Sequence, residues 1–263
     1  MKRGLYLYWC YACQMIKTRL AYRANFLMVN LIFIPMMLSQ ILFIYLVLDK
    51  VHHIRGYGFW EIMTVYSFSS LTVGITFFML GHFGSISQMV QDGSFDQMLI
   101  RPIRPFWHFA IRRINDEWLL TIITRGVLLG ISLAQLGITW TWLSYVYLFW
   151  ALACAILINI GLKVIVTALT FWLYETRALH SVLYATIYDL SYYPVALYGK
   201  FIENLLTWVF PLAFVSIVPV SYFFPDLNMK GMNLLMPLVT AVVLAGAVLS
   251  WHYGLKRYES AGS

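Results

Sequence analysis

Eleven acids and six histidines are all that this chain offers for acid–base or metal chemistry. Outside residues 91–105 the acids are Asp49, Glu61, Asp116, Glu117, Glu175, Asp189, Glu203, Asp226 and Glu259, scattered along the sequence. His52 and His53 are adjacent but have no further ligand near them, and His82, His108 and His180 do not cluster. Cys10 and Cys13 form a C-x-x-C with no second pair; Cys154 makes an odd third, which argues for reduced thiols rather than a disulfide framework. No nucleophile–base pair and no metal spacing results, so no catalytic and no metal residue is assigned. A phosphate loop of the form G-x-x-x-x-G-K-[ST] is also missing, so the chain does not bind ATP in that way.

Two groups of polar residues stand out against this background. The first is the run QDGSFDQMLIRPIRP, residues 91–105, lying between two strongly apolar stretches. Gly93 and Ser94 break a helix there. FDQMLI forms a short turn with Phe95, Met98 and Leu99 on one side, and Pro102 and Pro105 remove backbone donors and stiffen the exit. Arg101 and Arg104 would each cost about 2.5–3.5 kcal/mol at a bilayer centre, which puts the run outside hydrocarbon. The second group is Lys163 and Asp189, charges embedded in apolar sequence; such charges face protein and pair. The turn near Arg177 places them at similar depth, so an ion pair or a water-bridged pair is expected. It either lines a pathway or fixes two helices.

These residues need a membrane-embedded frame. The chain has 263 residues, 61% hydrophobic and 11% charged, with mean hydropathy +0.75; an ordinary soluble domain carries about 25% charged residues. A span needs about 20 apolar residues. Six crossings are expected: 26–48 with Pro35 inside, 60–82, 118–136, a long helix over 143–174, 181–198 and 232–252. Residues 201–224 are apolar but carry Pro211 and Pro219. They are expected to form a re-entrant or interfacial hairpin, since irregular backbone at membrane depth survives only when buried in protein or lining water. Residues 1–24 place Leu5, Trp9, Ala12 and Ile16 at helical spacing among basic residues. They read as an interfacial amphipathic helix or, alternatively, a basic leader; no cleavable signal peptide is recognised. The fold class is thus an all-α polytopic membrane protein with a single domain, 1–263. Its polar loop spans 83–117.

The net charge of +7 follows from orientation. Fourteen of the eighteen Lys and Arg fall in the N-terminal segment, the 101–113 loop with Arg125, the 163–177 region and the tail, against Lys50, Arg55, Lys200 and Lys230 on the other side. Both termini are then cytoplasmic by the positive-inside rule, and the charge calls for membrane lipid rather than nucleic acid. Arg125 is expected to snorkel to the inner interface.

The spacing DGSFDQMLIRPIRP, with the tail GLKRYESAGS, resembles permease subunits of ATP-binding-cassette exporters of the second type, in a bacterial branch. The layout of spans, basic N-terminal helix and hairpin is similar to that family's across nearly the whole chain. The specific motifs cover about 25 residues. The resemblance implies a second permease, identical or related, and separate ATP-binding subunits that hold the ATP and Mg; this chain needs no cofactor of its own. It implies that the polar loop docks on the ATP-binding subunit. The coupling positions are Gln88, Met89, Gln91, Asp92, Gly93, Phe95, Asp96, Met98, Leu99, Arg101 and Pro102. It also implies transport of an unspecified substrate, in the direction of export, across the bacterial inner membrane. The competing readings are a membrane-embedded lipid-modifying transferase, a channel or scaffold, and, for the loop alone, a solvated cap on two helices.

Overall fold

The computed structural model describes residues 23–51, 56–100, 105–112, 115–173, 189–224 and 230–258. Among them the regular elements are helices, with no strand. Helix α1, Arg23–Val51, keeps Pro35 inside it. Helix α2, Phe59–Leu80, runs through a 3-10 turn, Gly81–Ser85, into α3, Ile86–Gln91. The short α4, Asp96–Leu99, and α5, Pro105–Arg112, follow. Then come α6, Leu119–Gln135, and α7, Trp142–Ala168, which tightens into a 3-10 turn at Leu169–Phe171. Last are α8, Lys200–Asn204, α9, Ile217–Val220, α10, Lys230–Asn233, and α11, Met236–Arg257.

Three helical stretches are long and apolar enough to cross a membrane: Phe59–Gln91, Trp142–Phe171 and Gly231–Arg257, of 33, 30 and 27 residues. At 1.5 Å per residue the longest reaches about 50 Å, beyond a hydrocarbon core of about 30 Å. At least one end of an upright helix of this length stands outside the apolar layer. Leu119–Gln135 is a shorter apolar helix. The expected spans at 60–82, 118–136, 143–174 and 232–252 match these four elements to within a few residues, and the second is prolonged to Gln91, just before the break expected at Gly93 and Ser94. The expected interfacial helix at 1–24 and most of the fifth span, 181–198, lie outside the described residues.

Helix α2 sits at the centre of the bundle because its sequence suits close packing. Thr64, Ser67, Ser69, Ser70, Thr72 and Thr76 are all buried. Most return their hydroxyls to carbonyls three or four residues back, as Thr76 does to Thr72 at 2.9 Å. Three reach across to other helices: Ser67 to Ser132 at 3.5 Å, Ser69 to Ser191 at 3.0 Å, and Asn159 Nδ2 donating to Thr72 Oγ1 at 3.1 Å. Between apolar helices in lipid, small residues and such bonds do the work that water exclusion does in soluble cores. The α7–α11 contact uses the same device. A Cβ on Gly161 would stand 2.6 Å from Val243 Cγ1, so only glycine admits this approach.

Residues 200–223 form broken helical pieces: α8, a π turn at Leu205–Val209, a 3-10 turn at Leu212–Val215, α9, and a 3-10 turn at Ser221–Phe223. The chain breaks at Phe210–Pro211, as the proline predicts. The second break falls at Ser216, with φ −121° and ψ −89°. Pro219, the other expected break, instead sits within the single turn of α9, where a missing N–H costs nothing. Every residue from 211 to 221 is buried, and Tyr147 donates its hydroxyl to the Pro219 carbonyl at 3.0 Å.

Candidate functional site

The loop after α3 is built by local bonds that the sequence makes available. Gly93 takes φ +71°, the left-handed region a side chain resists. The Asp92 carboxylate caps the turn, accepting from the Ser94 amide at 3.0 Å and the Ser94 hydroxyl at 2.6 Å. These donors hold its carboxyl below the usual carboxylate range, the hydroxyl contributing most. Backbone bonds from Asp92 N to Gln88 O at 3.0 Å and from Phe95 N to Met89 O at 3.0 Å close the turn, and α4 starts at Asp96.

Phe95 then points inward, not outward. It is fully buried, with its ring 5.5 Å from Phe171 and 5.1 Å from Tyr258. Phe171 in turn meets Trp251 at 5.4 Å, and Trp251 meets Phe83 at 5.9 Å and Phe106 at 5.5 Å. These rings form the centre of a second apolar cluster, with Met98, Ile86, Val90 and Phe109, distinct from the main core. The Tyr258 hydroxyl donates to Asp96 Oδ1 at 3.0 Å. The polar loop is therefore bolted to the ends of α7 and α11. Gly254 makes this possible, since a Cβ there would stand 2.8 Å from Phe171. At the base of the loop, Gly81 is packed against the Asn115 side chain, and Asn115 N donates to Phe78 O at 3.0 Å.

The structure divides the residues the sequence grouped together. Phe95 and Met98 belong to the interior, while Leu99 and Ile100 are exposed, Ile100 at 83%. The expected face of Phe95, Met98 and Leu99 is thus split. The reason lies in α4, a single turn that points Met98 back at the cluster and Leu99 away from it. Gln88, Asp92 and Gln97 are exposed; Met89, Gln91, Gly93 and Asp96 are half-buried. Arg101, Pro102 and Arg104 lie outside the described residues. The ring partners Phe83, Phe171, Trp251 and Tyr258 are not marked out by any motif in the sequence. Their one signal, aromatic residues at helix ends near glycine, is equally the signal of ordinary packing.

Lys163 and Asp189 have different surroundings. Lys163 is buried with its Nζ 3.5 Å from the centroid of Phe77, which stacks on Trp118 at 4.6 Å. Asp189 lines a cavity of about 450 Å³ that also holds Arg125, Gln40, Tyr66, Thr121 and Tyr193. Arg125 packs its guanidinium on protein. Its guanidinium carbon lies 4.6 Å from the centre of the Tyr66 ring, and its Nε and Nη1 are buried without a hydrogen-bond partner. No group of three or more His, Cys, Asp or Glu among the described residues is placed to hold a metal ion.

A family model described as "ABC-2 family transporter protein" matches residues 34–262. No curated protein and no solved structure matches the chain.

Proposed function

The chain belongs to the ABC-2 transporter family, a multi-pass membrane component of ATP-binding-cassette transporters, and from that premise we propose that it is the permease subunit of an exporter. In this reading it crosses the bacterial inner membrane six times with both termini in the cytoplasm. The broken segment 201–224 is re-entrant, and residues 1–24 lie in the inner interface. A second permease, identical or related, completes the pathway. Separate ATP-binding subunits hold ATP and Mg and dock on the loop at residues 88–102.

One observation carries the coupling role: the loop is fastened to two long helices. Phe95 is locked among rings from the ends of α7 and α11, and Tyr258 holds Asp96. A push on the exposed Leu99 and Ile100 would therefore be passed to α7 and α11 as well as to α2, because close-packed interiors shift as units. A loop that only capped two helices in solvent would not need an aromatic plug into a third and a fourth. Energy enters from the partner, since the sequence has no phosphate loop of its own.

Purification in mild detergent tests the reading. Co-purifying ATPase activity, lost on replacing Leu99 and Ile100 together by Asp while the chain stays folded, is the expected result. Turnover of lipid by the isolated chain, with no ATPase attached, would instead indicate a membrane transferase.

A further inference from the structure

The cavity at Arg125 shares no lining residue with the loop proposed for docking. It lies between α1, α2, the start of α6 and the helical turn at residue 189, and is about 450 Å³, room for a small polar headgroup. Its walls carry two charges of opposite sign, Arg125 and Asp189. The Arg125 Nε and Nη1 are both buried and lack a hydrogen-bond acceptor, as does the buried Thr121 Oγ1. Tyr66 offers the guanidinium its ring face and a hydrogen bond through its hydroxyl, yet Nε and Nη1 stay without an acceptor. A guanidinium presents a planar array of donors suited to a carboxylate or phosphate. Leaving two of them empty at membrane depth is costly unless something fills them. Gln40 donates its Nε2 to the Tyr193 hydroxyl and so fixes two more polar lining groups in place. Ile34 and Met37 supply an apolar wall on α1.

We infer that this cavity binds a zwitterion: an anionic group on the Arg125 guanidinium and an ammonium on the Asp189 carboxylate, with any acyl chain lying along α1. The inference rests on the permease reading only for its role in transport; binding itself stands apart from it. The zwitterion is either a lipid headgroup entering from the bilayer or a small free molecule, since both present the same two charges.

The test uses the full chain with its co-purified subunits, in nanodiscs of phosphatidylglycerol, followed by thermal unfolding. O-phosphorylethanolamine is titrated in one arm, and phosphatidylethanolamine is added to the nanodisc in the other. A saturable upward shift in Tm is expected in at least one arm. A shift in the first arm assigns a soluble ligand; a shift confined to the second assigns a lipid. Arg125→Gln and Asp189→Asn should each weaken binding about tenfold or more, the scale of one charge-assisted contact. Arg125→Lys keeps the charge and loses the fork, and should fall between. Leu133, buried in the main core away from the cavity, gives a control in Leu133→Met that should bind as the parent does. No shift in either arm, or shifts that survive both charge-removing variants, overturns the inference. Stabilisation by inorganic phosphate alone that Asp189→Asn leaves intact also overturns it, in favour of a simple anion site. Loss of ATPase co-purification with binding retained would remove the permease reading and leave this site standing.

Discussion

The Tyr258 hydroxyl donates to the Asp96 carboxylate at 3.0 Å, joining two residues 162 positions apart. The bond ties the polar turn at residues 92–96 to the end of α11. Phe95, next to Asp96, packs its ring 5.1 Å from the same tyrosine, so the contact is apolar and polar at once.

Tyr258→Phe isolates the polar half of this contact. The ring remains against Phe95 and Phe171, and only the hydroxyl is lost. Both partners are half-buried, so the loss is about 1 kcal/mol, below the range for fully buried bonds to charged groups. Thermal unfolding in detergent should fall by a few degrees. Transport per ATP hydrolysed should fall further than stability does, because the loop can then shift without moving α11. Equal, proportionate losses in both would confine Tyr258 to a structural part.

Phe95 and Ile100 should behave in opposite ways. Phe95→Ala removes a fully buried ring and should cost about 3–5 kcal/mol, seen as a sharp drop in folded yield. Leu99→Asp with Ile100→Asp changes only exposed side chains and should leave unfolding within about 0.5 kcal/mol of the parent. That same pair should abolish retention of the ATPase subunit on an affinity column. Retention in the double variant would move the docking surface elsewhere.

Gly161 and Val243 form a steric pair. Gly161→Ala puts a methyl 2.6 Å from Val243 Cγ1 and 3.3 Å from its carbonyl, so α7 and α11 must part. The expected cost is about 1–3 kcal/mol. Val243→Ala clears the nearer atom, and the double variant should recover part of that loss. Additive losses in a double-mutant cycle would show that the two do not act on each other.

Lys163 is placed to act on the face of Phe77, 3.5 Å away. A cycle of Lys163→Met with Phe77→Leu should give a coupling of about 1 kcal/mol in unfolding measurements. The companion cycle of Lys163→Ala with Asp189→Ala measures any pairing between the two charges. Strict additivity there would leave Asp189 wholly to the cavity it shares with Arg125.

Local composition was enough to give the membrane class, the position of four apolar helices, and the break at Pro211. Each depends on local composition: hydrocarbon demands apolar runs of a set length, and proline removes its N–H wherever it stands. It also marked residues 91–105 as the polar exception, because arginines and a Gly-Ser break cannot be hidden in lipid. It could not tell Phe95 from Leu99. The two lie four residues apart with similar hydrophobicity, and what separates them is a set of rings from residues 171, 251 and 258, far off in the chain. Arg125 is a second case. Its place near the start of α6 says nothing of Tyr66, whose ring centre lies 4.6 Å from its guanidinium carbon. Burial and partnership are decided by which distant helices come together, and that is a property of the packed chain rather than of any stretch of it.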